Sequence, residues 1–177
     1  VPRRNGPIFM LKAFDYGQEH NWKHFLYGGK DDDQTHKLST EILKKYPNAN
    51  IVGKYSPPFR PLNDVEEDEL INLIDKIRPD IIWVGLGLPK QENFINDLKE
   101  KLKARDIFTP YLVGVGAAFD YHSGEVIWAP NWIQKIGMEW LFRTFIQPKV
   151  RIKRYIWSFQ IFFEAILRGI FKRFFNA

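Results

Sequence analysis

The chain has 177 residues and a net charge of +5, with 45% hydrophobic and 27% charged residues. This composition excludes a disordered chain, and the length allows one domain with a core of its own. Cysteine is absent, which excludes disulfides and cysteine-ligated zinc.

Apolar runs that end in glycine or proline alternate with segments of helical spacing over the first 124 residues. In chain order these patterns predict a strand at 24–29, a helix at 32–47, a strand at 48–55, a proline-rich loop at 56–61, a helix at 63–79, a strand at 80–88, a helix at 89–105, and a strand with a glycine-rich turn at 111–124. The strands are apolar almost throughout, which is typical of a parallel sheet that is buried on both faces. The sequence therefore predicts an α/β fold with helices on both faces of a parallel sheet.

Four turns follow these strands, and they would lie along the same edge of the sheet. Ligands of open parallel sheets bind beyond the carboxyl ends of the strands. The glycines of these turns let the backbone approach a ligand closely, so they are candidate binding residues: Gly28, Gly29, Gly85, Gly87, Gly114 and Gly116. Neither G-x-G pair has the third small residue of a dinucleotide fingerprint, so no nicotinamide or other cofactor is expected.

The stretch WVGLGLPKQENFI places Pro89, Lys90, Gln91 and Glu92 where a strand turns into a helix. One interpretation is a proline at the first helical position, followed by a charged first turn in solvent. The other is a ligand site, in which Lys90 adds a point charge and the Gln91 amide binds sugar hydroxyls or an N-acetyl group. The residues alone leave both open.

Asp120 and the aspartate run at 31–33 each have a structural and a functional interpretation. Asp120, in FDYHSG, either caps a turn or accepts hydrogen bonds from a ribose or sugar hydroxyl. The run 31–33 contains the letters D-x-D of some metal-dependent transferases, but a cap for the next helix is the favoured interpretation. His122 is expected on an exposed loop. No His or Cys cluster has metal-ligand spacing, so no metal site is expected.

Residues 130–177 are helical by pattern and rich in aromatic residues, and the net positive charge of the chain lies from residue 139 onward. This segment either packs on the domain or on a partner subunit, or lies in a membrane interface with its cations toward anionic lipid. The interfacial alternative is favoured. Arg168, Lys172 and Arg173 interrupt the apolar run, which argues against a bilayer span. No nucleic-acid motif appears, so a nucleic-acid partner is not expected.

Three segments together resemble the WecG/TagA/CpsF glycosyltransferases of bacterial polysaccharide and wall teichoic acid synthesis: VGLGLPKQENFI, GVGAAFDYHSGEVIWAPNWIQKIGMEWLFR and QPKVRIKRY. The resemblance implies a Rossmann-like fold, with a partial sugar-nucleotide domain at 1–129 and a helical, membrane-associating appendage at 130–177. It also implies transfer of N-acetylmannosamine or a related sugar from a UDP-sugar to a lipid-diphosphate-linked acceptor. The enzyme would work on the cytoplasmic face of the membrane. Self-association into a homo-oligomer stays open.

The resemblance also assigns roles to arginines. Arg143, Arg151 and Arg154 match tail arginines that would meet a diphosphate, and Arg3 matches the arginine of an R-x-x-G segment near the pocket. The aspartate proposed as the family's catalytic base lies upstream of the region that this chain matches, so the chain resembles a C-terminal part and its catalytic residue stays unassigned. The alternative function is a non-catalytic domain that binds a sugar nucleotide or a membrane.

Overall fold

The computed structural model describes residues 5–148. The strands of this range are β1 (Lys23–Gly28), β2 (Asn50–Tyr55), β3 (Ile81–Gly85) and β4 (Tyr111–Gly114). The helices of this range are α1 (Gly6–His20), α2 (Asp32–Lys45), α3 (Asp64–Ile77), α4 (Lys90–Ala104), α5 (Ala118–His122), α6 (Asn131–Lys135) and α7 (Glu139–Ile146). The described residues form two compact units, one that ends at Val126 and one that begins at Ile127.

The four strands form one parallel sheet in the order β2-β1-β3-β4. Successive side chains of β1 point to opposite faces, so that Leu26 joins one core and Phe25 the other. Helices α1, α2 and α5 cover the first face, and α3 and α4 cover the second. The predicted Rossmann-like α/β fold, with helices on both faces of a parallel sheet, is confirmed.

Helix α1 is an element that the sequence patterns did not predict. Asn5 begins it by accepting a hydrogen bond from the backbone N–H of Ile8 at 3.1 Å, and Pro7 lies in its first turn. The helix buries Met10 and Phe14 completely against the sheet, and a fully buried phenylalanine contributes roughly 2–3 kcal/mol to stability. The Asn-x-Pro start was the available signal. Apolar and aromatic residues on both sides of the helix obscured its period.

The structure confirms one local expectation, at Asp31, and corrects two, at Pro89 and His122. Asp31 is the N-cap of α2 and accepts a hydrogen bond from the Gln34 N–H at 2.8 Å, so the capping interpretation of the aspartate run is confirmed. Helix α4 begins at Lys90 with Pro89 as its N-cap, so the prediction of Pro89 as the first helical residue was one position early. His122 is not on an exposed loop. It ends α5, half-buried, with its ring Nε2 3.0 Å from the carbonyl oxygen of Pro7, and burial lowers the pKa of its imidazole.

The second unit contains α6 and α7 within the described range. Its most exposed aromatic side chains are Trp132, Trp140 and Phe145, which are 65%, 54% and 77% exposed. Between residues 5 and 148, no helix combines the length and the apolar character that a bilayer crossing needs. The predictions for Arg3, Arg151, Arg154 and the rest of the aromatic tail lie outside the described residues.

Candidate functional site

The chain reverses its direction of progress across the sheet between β1 and β3. It moves from β1 to β2 on one side, then returns by α3 to place β3 on the other side of β1. In an open parallel sheet, the crevice beyond the carboxyl ends at such a switch point is the usual ligand site. Gly28 and Gly85 are the paired residues at these two ends.

The two glycines permit a close approach that no other residue would allow. Gly28 has a φ of +134°, and a Cβ on it would lie 2.8 Å from the backbone of Gly85. A Cβ on Gly85 would lie 2.6 Å from the ring of Phe119 in α5. The missing side chains therefore let the ends of β1 and β3 and the Phe119 ring pack closely together.

Gln91 joins α4 to the turn after β4. Its side chain is buried, and its Oε1 accepts a hydrogen bond from the N–H of Gly116 at 3.0 Å. A Cβ on Gly114 would come within 2.9 Å of the Gln91 Nε2. Within 5–148 this Nε2 has no hydrogen-bond partner of its own, so the amide fixes the β4 turn with its oxygen and keeps two donor hydrogens for another group.

The neighbours of Gln91 behave differently. Pro89, Lys90 and Glu92 are exposed, as the solvent interpretation of this turn expected, whereas Gln91 points inward. The N–H groups of Gln91 and Glu92 already donate to the carbonyls of Gly87 and Pro89, at 2.9 and 3.2 Å. The first turn of α4 therefore offers an anion fewer backbone donors than a helix start usually does.

Asp120 lies inside α5 and does not cap it, because Ala117 is the N-cap and forms no side-chain bond. The Asp120 Oδ1 instead accepts a hydrogen bond from the Gln34 Nε2 at 2.9 Å. The same Nε2 donates to the Glu125 Oε2 at 3.1 Å, and the Lys30 Nζ forms an ion pair with the Glu125 Oε1 at 2.6 Å. This hydrogen bond with Glu125 raises the pKa of the Lys30 ammonium, which stays charged.

Sequence reasoning missed the polar residues that hold the β1 turn. Gln34 and Thr35 are each 1% exposed. The Thr35 hydroxyl lies 3.2 Å from the carbonyl oxygen of Gly28 and 2.5 Å from the Ser56 hydroxyl, so it ties the ends of β1 and β2 together. Gln34 stands four residues before Leu38 on the buried face of α2, and this spacing was a usable signal.

Three other candidates lie within the described residues. Gly29, with a φ of +89°, forms the β1 turn, while Gly87, with a φ of +73°, has open space where a Cβ would lie. Arg143 belongs to the second unit, where its Nε is 3.8 Å from the Glu139 Oε1 and both side chains are largely buried. The first unit thus brings together Gly28, Gly85 and the pair formed by Gln91 and the Gly114–Gly116 turn.

Comparison with known proteins gives the same assignment as the motifs. Residues 1–175 match the family described as "Glycosyl transferase WecG/TagA/CpsF family". One relative, from Bacillus subtilis (strain 168), is the "N-acetylglucosaminyldiphosphoundecaprenol N-acetyl-beta-D-mannosaminyltransferase". It is 35% identical over 126 residues, which cover 70% of this chain and 44% of the relative, so the chain spans less than half of the relative's length. The chain belongs to the WecG/TagA/CpsF family of glycosyl transferases.

Proposed function

We propose that the protein containing this chain transfers an N-acetylhexosamine, most simply N-acetylmannosamine, from a UDP-sugar to a lipid-diphosphate-linked sugar. The product would enter a bacterial cell-surface polysaccharide or a wall teichoic acid. Support comes from the family and from the name of the Bacillus subtilis relative, which states both a mannosaminyl group and an undecaprenol diphosphate acceptor. The chain would contribute the recess for the donor.

The observation that carries this proposal is the meeting of strand ends at the switch point. Gly28 and Gly85 let the two strand ends lie close together there, and the Gln91 amide turns toward the adjacent strand end with two donor hydrogens available. A sugar nucleotide needs such a combination, because its diphosphate and hydroxyl groups require polar partners in a concave site. We assign the contacts with the UDP-sugar to this crevice. Gln91 and Asp120 would be its polar side chains, and Lys90 would add a positive charge nearby.

The chemistry is a displacement at the anomeric carbon of the donor sugar. A hydroxyl group of the acceptor attacks that carbon, the bond to UDP breaks, and a carboxylate accepts the proton of the hydroxyl. Negative charge grows on the departing UDP, where amide donors and cations lower the energy of the transition state. By the family pattern we assign contacts with a diphosphate, of UDP or of the acceptor, to Arg143, Arg151 and Arg154, and a place near the pocket to Arg3. The proton acceptor is unassigned.

Peripheral attachment to the cytoplasmic face of the membrane is part of the proposal, since the acceptor is a lipid. The domain division at 129/130 would then separate donor binding from membrane contact. The exposed Trp132, Trp140 and Phe145 support this role, because aromatic rings are favoured at headgroup depth.

The test is a transfer assay with the full-length protein, UDP-N-acetylmannosamine and a prenyl-diphosphate-linked N-acetylglucosamine, together with calorimetric titration of UDP. We expect a disaccharide product and saturable binding of UDP. Binding of UDP without transfer to any acceptor sugar would favour the non-catalytic alternative. Absence of both would reject the proposed donor site.

A further inference from the structure

We propose that Gln34 is a positioning residue that holds the Asp120 carboxylate in place for a hydroxyl group of the donor. The inference rests on the proposed function and deepens it. Gln34, Lys30, Asp120 and Glu125 form one hydrogen-bonded group, called here the Gln34 clasp.

The Gln34 amide uses both of its N–H donors and its oxygen inside the clasp. Its Nε2 donates to the Asp120 Oδ1 at 2.9 Å and to the Glu125 Oε2 at 3.1 Å. Its Oε1 accepts from the backbone N–H of Lys30 at 2.7 Å. With one acceptor facing an N–H and two donors facing carboxylates, the orientation of the amide is fixed by its partners.

The charges of the clasp explain why a neutral amide is needed. Two carboxylates approach the same nitrogen, and one of them, Glu125, is balanced by the Lys30 ammonium at 2.6 Å. A third carboxylate at position 34 would repel both, while an apolar side chain would leave Asp120 without its buried donor. Because Gln34 is 1% exposed, water has little access to replace the lost bond.

The clasp also connects α2 with α5 through two residues that lie 86 positions apart in the chain. A Cβ on Gly29 would lie 3.1 Å from the Gln34 Oε1, so the β1 turn packs directly on the amide. Helix α5 has only five residues and no side-chain cap, which makes the Asp120–Gln34 bond an important polar tie for its position. No residue in 5–148 bonds the Asp120 Oδ2, which leaves that oxygen for a ligand hydroxyl.

The experiment uses the full-length enzyme and three variants. Gln34→Met keeps the volume of the side chain and removes its donors. Gln34→Glu keeps the shape and adds a charge. Gln18→Glu is the matched control. The Gln18 Oε1 on α1 accepts from the backbone N–H of Asn48 at 3.1 Å, and a carboxylate oxygen can do the same.

For Gln34→Met we expect the KM for the UDP-sugar to rise about tenfold while kcat changes less than about threefold, since the lost contact acts on donor binding. For Gln34→Glu the rise should be larger near neutral pH. It should shrink as the pH falls, because a protonated carboxyl group regains a donor for Asp120. Gln18→Glu should keep the KM of the parent at every pH. In Gln34→Met the backbone N–H of Lys30 loses its acceptor, so its amide hydrogen exchange should accelerate. This measurement reports on the clasp in the absence of the UDP-sugar.

A Gln34→Met enzyme with the KM of the parent would overturn the inference and leave the proposed function standing. A parent protein that neither binds UDP nor transfers sugar would overturn both. If Gln34→Met does not fold, the pH dependence of Gln34→Glu decides instead. A penalty that is constant with pH would count against a positioning role.

Discussion

Gln91 is the residue at which α4 meets the turn after β4. Its Oε1 accepts a hydrogen bond from the Gly116 N–H at 3.0 Å, and a Cβ on Gly114 would lie 2.9 Å from its Nε2. Replacing Gln91 by Ala removes the hydrogen bond that fixes the turn after β4, and it removes the two hydrogens of the amide nitrogen. We expect kcat/KM for the UDP-sugar to fall by about ten- to a hundredfold, since one lost polar contact costs about 1.5–3 kcal/mol when the partner is charged.

Steady-state kinetics at several donor concentrations would measure this loss. Gln18→Ala is the control, because it also removes a glutamine that accepts from a backbone N–H. Unchanged kinetics in Gln91→Ala would remove Gln91 from the site.

His24 is the second residue with a testable consequence, this time for stability. It is completely buried, its Nδ1 accepts from the Trp83 Nε1 at 3.1 Å, and its ring packs 4.1 Å from that of Phe14. Burial lowers the pKa of the imidazole to about 4, although the nearby Asp80 carboxylate opposes the shift. The folded protein therefore favours the neutral ring.

The sign of the pH effect follows from this shift. The unfolded chain takes up a proton near pH 6.5 but the folded protein only near pH 4, so the stabilisation is present above pH 6.5 and is lost as the pH falls toward 4. The loss from this residue should reach about 3 kcal/mol. Urea unfolding between pH 7 and 4 would measure it. His24→Gln should flatten the curve, while His36→Gln, at an exposed histidine of α2, should not.

Among the helices between residues 5 and 148, α3 begins with a reciprocal capping box. Asn63 accepts a hydrogen bond from the Glu66 N–H at 2.9 Å, and the Glu66 carboxylate accepts in return from the Asn63 N–H at 2.9 Å. Arg60 holds the same carboxylate through two bonds of 2.6 Å, and these bonds lower the pKa of Glu66 to about 2. The proline-rich loop is thereby fixed to the helix that follows it.

Removal of the cap should weaken α3 measurably. We expect Asn63→Ala to lower the free energy of unfolding by about 1 kcal/mol, the usual cost of a lost N-cap. Asn72→Ala, at an exposed position in the middle of the same helix, should leave stability unchanged or slightly higher, because alanine is the better helix former. Equal losses in the two variants, measured in urea, would contradict a special role for the cap.

The elements also indicate which features the sequence could predict. Continuous apolar strands such as β3 and spaced apolar residues such as Leu38 and Ile42 identify the sheet and its helices, because burial requires those periods. Helix α1 was not predicted, because apolar and aromatic residues on both of its sides obscured its helical period. The direction of Gln91 stayed open between two alternatives, and the hydrogen bond between Gln34 and Asp120 was not predicted. Both contacts join residues distant in sequence, which only the folded sheet brings together.

At the scale of the whole molecule, charge separates the two ends of the chain. Eight lysines or arginines and two glutamates lie from residue 139 onward, which leaves the preceding part close to neutral. A cationic, aromatic end attached to a nearly neutral α/β unit suits attraction to an anionic lipid surface followed by insertion of rings at the interface. We therefore expect binding to membranes to depend on both the charge of the lipid and the salt concentration.

We expect the protein to co-sediment with vesicles that contain phosphatidylglycerol, and much less with pure phosphatidylcholine vesicles. Raising the salt from 0.1 to about 1 M shortens the Debye length from about 10 to about 3 Å, so the bound fraction should fall. Some binding should remain at high salt, since buried aromatic rings are not screened. Equal binding to both lipids at every salt concentration would contradict an electrostatic contribution to membrane binding.

Binding to duplex DNA at matched salt is the comparison. Stronger binding to DNA than to anionic vesicles would point to nucleic acid as the partner of the basic end.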